Sequence, residues 1–154
     1  MIDLLVRPAE PGDVPAVTAL VRAAYARYVE RIGREPAPMT ANYQAIVAHG
    51  QCWVALREHE LVGVLVLEPA ADHLLLENIA VSPHAQGHGV GKLLLGFADD
   101  EARRRQLPEV RLYTNAAMTE NLAYYPRHGY RETHRAGADG FARVYFAKPV
   151  TAGA

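Results

Sequence analysis

An apolar, strand-like run over residues 74–81 breaks on Gln86-Gly87-His88-Gly89-Val90-Gly91-Lys92. A helix-periodic stretch follows over residues 90–106, with Val90, Leu94 and Phe97 on one face. Strand, glycine turn and amphipathic helix in that order commit the chain to a mixed α/β architecture. Three glycines in five positions remove side chains where charged groups of a ligand approach the backbone. The unpaired N–H groups and the positive dipole end of the helix make such a turn an anion site. Lys92 adds a full charge there. The ligand this predicts carries phosphate, most simply a pyrophosphate. The plainer alternative is a tight structural turn, which requires fewer glycines.

Two other phosphate motifs fail here. A P-loop needs glycine five positions before the Gly-Lys pair and Ser or Thr after it, where this chain has Gln86 and Leu93. A dinucleotide fingerprint needs glycine three positions after Gly89, where Lys92 stands.

Periodicity elsewhere predicts a strand over residues 2–6 and a helix over 14–32, capped by Asp13 and stopped at Gly33. A second short helix is expected over residues 40–49. Strands are expected over 52–56 and 61–68, the two joined by the polar Arg57-Glu58-His59-Glu60 as a hairpin. Beyond the long helix, which Pro108 ends after the dipole-matched Arg103, Arg104 and Arg105, a strand is expected over 110–114. A helix over 119–127 and strands over 130–134 and 141–147 complete the order β-α-α-β-β-β-α-β-α-β-β. No repeat or linker interrupts the 154 residues, so one domain is expected.

Sixteen Lys and Arg against seventeen Asp and Glu give a net charge of −1, which argues against a dedicated nucleic-acid binder. Cys52 is the lone cysteine, excluding an intrachain disulfide and a multi-cysteine zinc site. It begins an apolar strand and reads as a core residue. The seven histidines, His84 and His88 beside the turn included, show no metal-ligand pattern. No metal is therefore expected. No run is long enough to span a membrane, and residues 1–10 lack the apolar stretch of a signal peptide. A cytoplasmic setting is the expectation.

Gln86-Gly87-His88-Gly89-Val90-Gly91 resembles the Gln/Arg-x-x-Gly-x-Gly/Ala turn of the GNAT N-acetyltransferase superfamily, whose members bind acetyl-CoA. Leu76-Glu77-Asn78-Ile79-Ala80-Val81-Ser82-Pro83 resembles the family's central strand. Asn115 and the block Asn121 to Tyr130, with Tyr125 three residues before Gly129-Tyr130, resemble its second conserved segment. The resemblance spans nearly the whole chain. It implies a mixed, mostly antiparallel central sheet flanked by helices. Pro126 stands where the family more often carries Glu or another helix former, so the helix is expected to end or kink at Tyr125.

The resemblance also implies roles. Backbone groups of Ile79, Ala80 and Val81 would pair with the pantetheine arm, using strand-edge N–H and C=O groups. Amides from Gln86 through Gly87, His88, Gly89, Val90 and Gly91, with Lys92, would hold the pyrophosphate. Asn115, Asn121 and Tyr124 would border the arm near the thioester, although cap and loop chemistry explains asparagine in such places as well. Tyr125 would donate to the sulfur as a weak acid; a core aromatic is the alternative. Glu77 shares a strand face with Leu75, Ile79 and Val81, and burial there would raise its pKa into the range of a general base. A solvated or arginine-paired carboxylate is the other reading. Tyr25, Tyr28, Met39, Asn42 and Tyr43 lie where the family forms its acceptor wall; core packing explains the first two equally well.

These residues imply direct acetyl transfer to the amine of a small-molecule or peptide acceptor, with no nucleic-acid or membrane partner. A non-catalytic acyl-CoA sensor or partner-binding module is the competing expectation, and a nucleotide-phosphate enzyme a more distant one. The acceptor is not legible in so balanced a charge. Homodimers are common in the family, and nothing in this chain fixes that state.

Overall fold

In the computed structural model, which describes residues 3–151, the elements run β1 (Leu4–Pro8), α1 (Val14–Ile32), α2 (Ala37–Thr40), α3 (Tyr43–Ala48), β2 (Cys52–Arg57), β3 (Glu60–Pro69) and β4 (Leu74–Val81). They continue α4 (Val90–Arg104), β5 (Glu109–Asn115), α5 (Thr119–Arg127), β6 (Arg131–Ala138) and β7 (Phe141–Pro149). The seven strands lie in the order β1-β2-β3-β4-β5-β7-β6. β1–β2, β2–β3, β5–β7 and β6–β7 pair antiparallel and β4–β5 parallel, as the mixed, mostly antiparallel expectation required. The chain divides into two compact units. The first takes in the chain up to Leu67 with Asn78–Phe97, the second Glu68–Glu77 with the chain from Ala98 onward.

In the first unit, the helical period of α1 buries Val17, Leu20 and Val21, which join Tyr43 and Val47 of α3 over Cys52, Val54, Val64, Val66 and Ala80. Burial pushes the Cys52 thiol up to about 12, consistent with an inert core residue. On the other face Trp53 packs on Phe97 with ring centroids 5.7 Å apart. Both faces of β2 and β3 are thus buried, which is why these strands read as continuous apolar runs. Gly33 stops α1 at φ 91°, its N–H bonded to the Val29 carbonyl at 2.8 Å.

Three details differ from expectation. The opening strand, expected over 2–6, runs Leu4–Pro8, and Ile2 lies outside the described residues. Asp13 does not cap α1 with its side chain. It accepts instead from the Glu10 N–H at 2.7 Å across a short 3-10 turn, and from Arg7 at 2.7 Å, which holds its carboxyl below the usual range. The expected helix over 40–49 is two helices, because Ala41 is extended and the Asn42 side chain caps α3 by accepting from the Ala45 N–H at 3.1 Å.

In the second unit, Val110, Leu112 and Thr114 of β5 are buried while Glu109, Arg111, Tyr113 and Asn115 occupy the half-buried face. Helix α5 continues through Pro126 to Arg127, so Tyr125 is not its last residue. Proline sits in the final turn, where it removes one ladder bond, and the cap closes the helix just beyond it: Gly129, at φ 91°, donates to the Pro126 carbonyl, and the Tyr130 N–H donates to the Tyr125 carbonyl, each at 3.2 Å. That is a Schellman cap. β6 begins at Arg131 and runs to Ala138, longer than expected from a polar, exposed stretch. Among the described residues it pairs only with β7, and Arg131, Glu132 and Arg135 stud this edge with charge.

Gly63 is the most closely packed glycine described in the first unit. A Cβ there would lie 2.9 Å from Val90, 3.0 Å from Leu94 and 3.1 Å from Ala55, all side-chain atoms. Gly63→Ala is expected to cost about 1–3 kcal/mol by overpacking. Urea unfolding followed by circular dichroism measures it, and an unchanged midpoint would refute the contact.

Candidate functional site

The second half of β4 alternates buried Asn78 and Ala80 with half-buried Ile79 and Val81. Asn78 is 5% exposed. Its Oδ1 accepts from the Tyr25 hydroxyl at 2.8 Å, and its Nδ2 donates to the Tyr43 hydroxyl at 3.0 Å, which donates onward to the Pro38 carbonyl at 2.6 Å. The Tyr25 hydroxyl also lies 3.3 Å from the Ile79 carbonyl oxygen. Two acceptor-wall candidates are therefore tied together by a residue given no role in the sequence analysis. Its signal was present: one amide at the buried parity of an apolar strand has to find partners. Tyr28 is buried beneath the Arg27 and Arg31 guanidinium groups, 4.7 and 5.1 Å from its ring centroid, and Met39 is buried with its carbonyl accepting from Arg22.

At the turn, Gly87 and Gly89 adopt left-handed φ values of 84° and 86°, and no atom lies within 4 Å of a Cβ built at either. A side chain at these positions would be strained, and the backbone beside them is open to a ligand. The Leu93 N–H bonds to the Gly89 carbonyl at 3.0 Å and opens α4, so the N–H groups of Val90, Gly91 and Lys92 precede the helical ladder. Gln86 to Gly89 and Lys92 are exposed, with Gln86 donating to the Val81 carbonyl at 3.4 Å. His84 pairs with Ser82 and Glu60. A fifteen-residue helix adds its dipole to this row of donors. The residues fit a pyrophosphate.

In the second unit, the parallel ladder pairs Leu74, Leu75 and Leu76 with Val110, Arg111 and Leu112, and Glu77 is the next residue of β4. Half-burial, the Glu68 charge and a hydrogen bond between the two carboxyl groups push the Glu77 carboxyl above the ordinary range. Burial also raises the Tyr113 phenol, with Arg143 drawing it down and Glu77 up. Tyr125 is buried, its ring 5.4 Å from Tyr124, 5.7 Å from Tyr130 and 5.8 Å from Phe146. Tyr124 is half-buried, which raises its phenol, and it meets His128 at 4.4 Å. Asn115 accepts from the Ala117 N–H at 2.9 Å, and Asn121 donates to the Thr114 hydroxyl at 3.0 Å, so both organise the end of β5. Among the described residues no group of three or more His, Cys, Asp and Glu is placed to hold a metal. No helix among them is long and apolar enough to cross a membrane.

The acetyltransferase (GNAT) domain family matches residues 48–132, more than half of the chain, from before β2 through the α5 cap. The chain belongs to the GNAT acetyltransferase family. Among curated GNAT relatives, the aminoalkylphosphonate N-acetyltransferase of Salmonella typhimurium is 31% identical over 88 residues, covering 53% of this chain and 56% of that protein. The probable N-acetyltransferase 14 of Xenopus tropicalis is 29% identical over 90 residues, covering 56% and 44%. The chain thus spans about half the length of these relatives. The fold agrees as well: the PaiA N-acetyltransferase of Thermoplasma acidophilum, solved with coenzyme A, superposes with a TM-score of 0.79 at 16% identity, covering 96% of this chain and 99% of that one.

In this GNAT chain, Glu77 carries a testable electrostatic signature. Because its folded pKa is raised, its contribution to stability is present below the unfolded pKa and lost as pH rises through the folded one. Glu77→Gln is therefore expected to be neutral at acid pH and stabilising at neutral pH. Thermal melts of both proteins at pH 4 and pH 7.5 read the difference; equal shifts at both would contradict the raised pKa.

Proposed function

We propose that this chain is an acetyl-CoA-dependent N-acetyltransferase that moves an acetyl group directly onto a primary amine. The observation that carries the reading is the pair of left-handed glycines, open to solvent, at the donor-rich start of α4. A pyrophosphate held there would accept from the Val90, Gly91 and Lys92 amides and neutralise the Lys92 charge. The half-buried backbone of Ile79 and Val81 supplies strand-edge groups for a pantetheine arm, with Ala80 as their buried support. Asn115, Asn121 and Tyr124 are assigned to the same arm by the family pattern.

Acetyl-CoA, when bound, supplies the thioester carbonyl. Glu77 takes a proton from the amine, directly or through water, as the C–N bond forms; its raised pKa suits it to that task. The Val81 N–H meets the developing oxyanion. Tyr125 gives a proton to the thiolate as the C–S bond breaks, and the products are the N-acetyl amide and free thiol. Tyr25, Tyr28, Met39 and Tyr43 are assigned to the acceptor side.

A thermal-shift titration with acetyl-CoA, CoA and ATP in parallel tests the cofactor. Either CoA species at ~100 times its dissociation constant should stabilise by about 2.7 kcal/mol, and ATP should not. No response to CoA species would refute the proposal. Tyr125→Phe should retain that shift while lowering kcat about 100-fold. Full CoA binding with no turnover of any amine in the wild type would instead favour an acyl-CoA sensor.

A further inference from the structure

The face of the second unit's sheet opposite α5 carries a row of side chains that the family pattern leaves without a role. Helix α5 and the second half of α4 meet the face of Thr114, Phe146 and Lys148, through Asn121, Tyr125 and Asp99. On the other face, Tyr113 of β5 is paired with Tyr145 of β7, which is paired with His134 of β6. Glu77 is one residue past the Leu76–Leu112 pair, at the parity of the Tyr113 face, and its charge acts on the Tyr113 phenol. The rings form a continuous floor: Tyr113 and Tyr145 are 5.6 Å apart, and His134 stacks on Tyr145 at 4.3 Å with planes 8° apart.

Arg143 makes this floor a recognition surface. Its guanidinium lies 4.3 Å over the Tyr113 ring, and its side chain is only 11% exposed. It has five N–H donors. Its ion pair with Asp139, itself 83% exposed, is 3.8 Å long, beyond hydrogen-bond reach. The guanidinium makes no hydrogen bond among the described residues and none of its nitrogens is buried without a partner, so its donors are within reach of a ligand anion. Its planar fork matches a carboxylate. Arg143 covers the Tyr113 ring and the Glu77 charge acts on the same phenol, so a short molecule lying over that ring meets both with a carboxylate and an amine.

Resting on the acetyltransferase reading above, we propose that the acceptor is a free amino acid: its amine at Glu77, its carboxylate on the Arg143 fork, and its side chain along the Tyr113, Tyr145 and His134 rings. A protein or peptide N-terminus, with no carboxylate near its amine, does not meet both charges.

The test uses the purified chain with acetyl-CoA, following release of free CoA thiol for amino acids and their decarboxylated partners: phenylalanine with 2-phenylethylamine, and leucine with isoamylamine. At least one amino acid should have a kcat/KM about tenfold or more above its partner, the loss expected when a charge-assisted contact is missing. Arg143→Gln should bring that ratio toward one by raising KM, with kcat and the acetyl-CoA thermal shift unchanged; Arg143→Lys should fall between. Equal or better turnover of the decarboxylated amines overturns the acceptor assignment, as does a ratio that survives Arg143→Gln. Acetyl-CoA stabilisation with no amino acid acetylated overturns it too and leaves the cofactor reading standing. No stabilisation by acetyl-CoA removes both.

Discussion

The approach of Val90 and Leu94 to Gly63 sets where α4 begins, and the anion site follows from that position. A turn built on Gly87 and Gly89 gains conformational freedom and loses it again on folding, so glycine by itself does not fix a geometry. Something rigid has to hold the helix that follows. Here that support is β3, whose missing side chain at residue 63 lets two apolar residues of the first helical turns sit against the strand. The glycine in the strand and the glycines in the turn thus serve one purpose from opposite sides: the first admits the helix, the others leave its N-terminus open.

The tyrosine block has two physical origins that its sequence spacing does not separate. A Schellman cap places a left-handed residue at Gly129 and a bond from Tyr130 back to Tyr125, and is often accompanied by a contact between those two side chains. All are present, the last as an edge-on ring pair at 5.7 Å. Tyrosine, three residues, then Gly-Tyr is therefore the spacing that ends this helix, whatever chemistry the phenol performs. The Lys148–Asp99 pair at 2.6 Å fixes the other side of the cap, with Lys148 passing within 3.1 Å of where a Gly129 Cβ would stand. Tyr125 sits in a frame determined by packing, and a catalytic role would draw on that rigidity.

Long periodic elements were legible in the sequence. α1, α4 and the strands β2 to β4 fell within a residue or two of expectation, because each buries a full stripe or face. The misreadings share a cause: local side-chain chemistry competing with period. Asp13 had two partners available, a helix end and Arg7, and the charged pair with the preceding turn prevailed. Asn42 restarted a helix inside what periodicity joined. β6, exposed along nearly all its length, has no apolar alternation to announce it and exists through its pairing with β7. The glycine turn and Glu77 could be picked out because their residue types are anomalous where they stand. Asn78 was equally anomalous, and its partners Tyr25 and Tyr43 lie 53 and 35 residues away.

Net charge hides the arrangement that matters for an acceptor. With formal charge near zero, composition gave no direction. Yet the second unit carries a raised carboxyl beside a second carboxylate and, across one tyrosine ring, a guanidinium without hydrogen bonds. The carboxyl is costly to hold charged in a half-buried place, since desolvation disfavours the charged form and the Glu68 charge adds to it. Glu77 on β4 and Arg143 on β7 are separated by β5: Arg143 lies over the Tyr113 ring with Asp139 as its ion-pair partner, and Glu77 keeps Glu68 as its neighbour. A sheet that holds these two groups on strands either side of β5, unpaired with each other, retains two poles for a molecule that carries both signs.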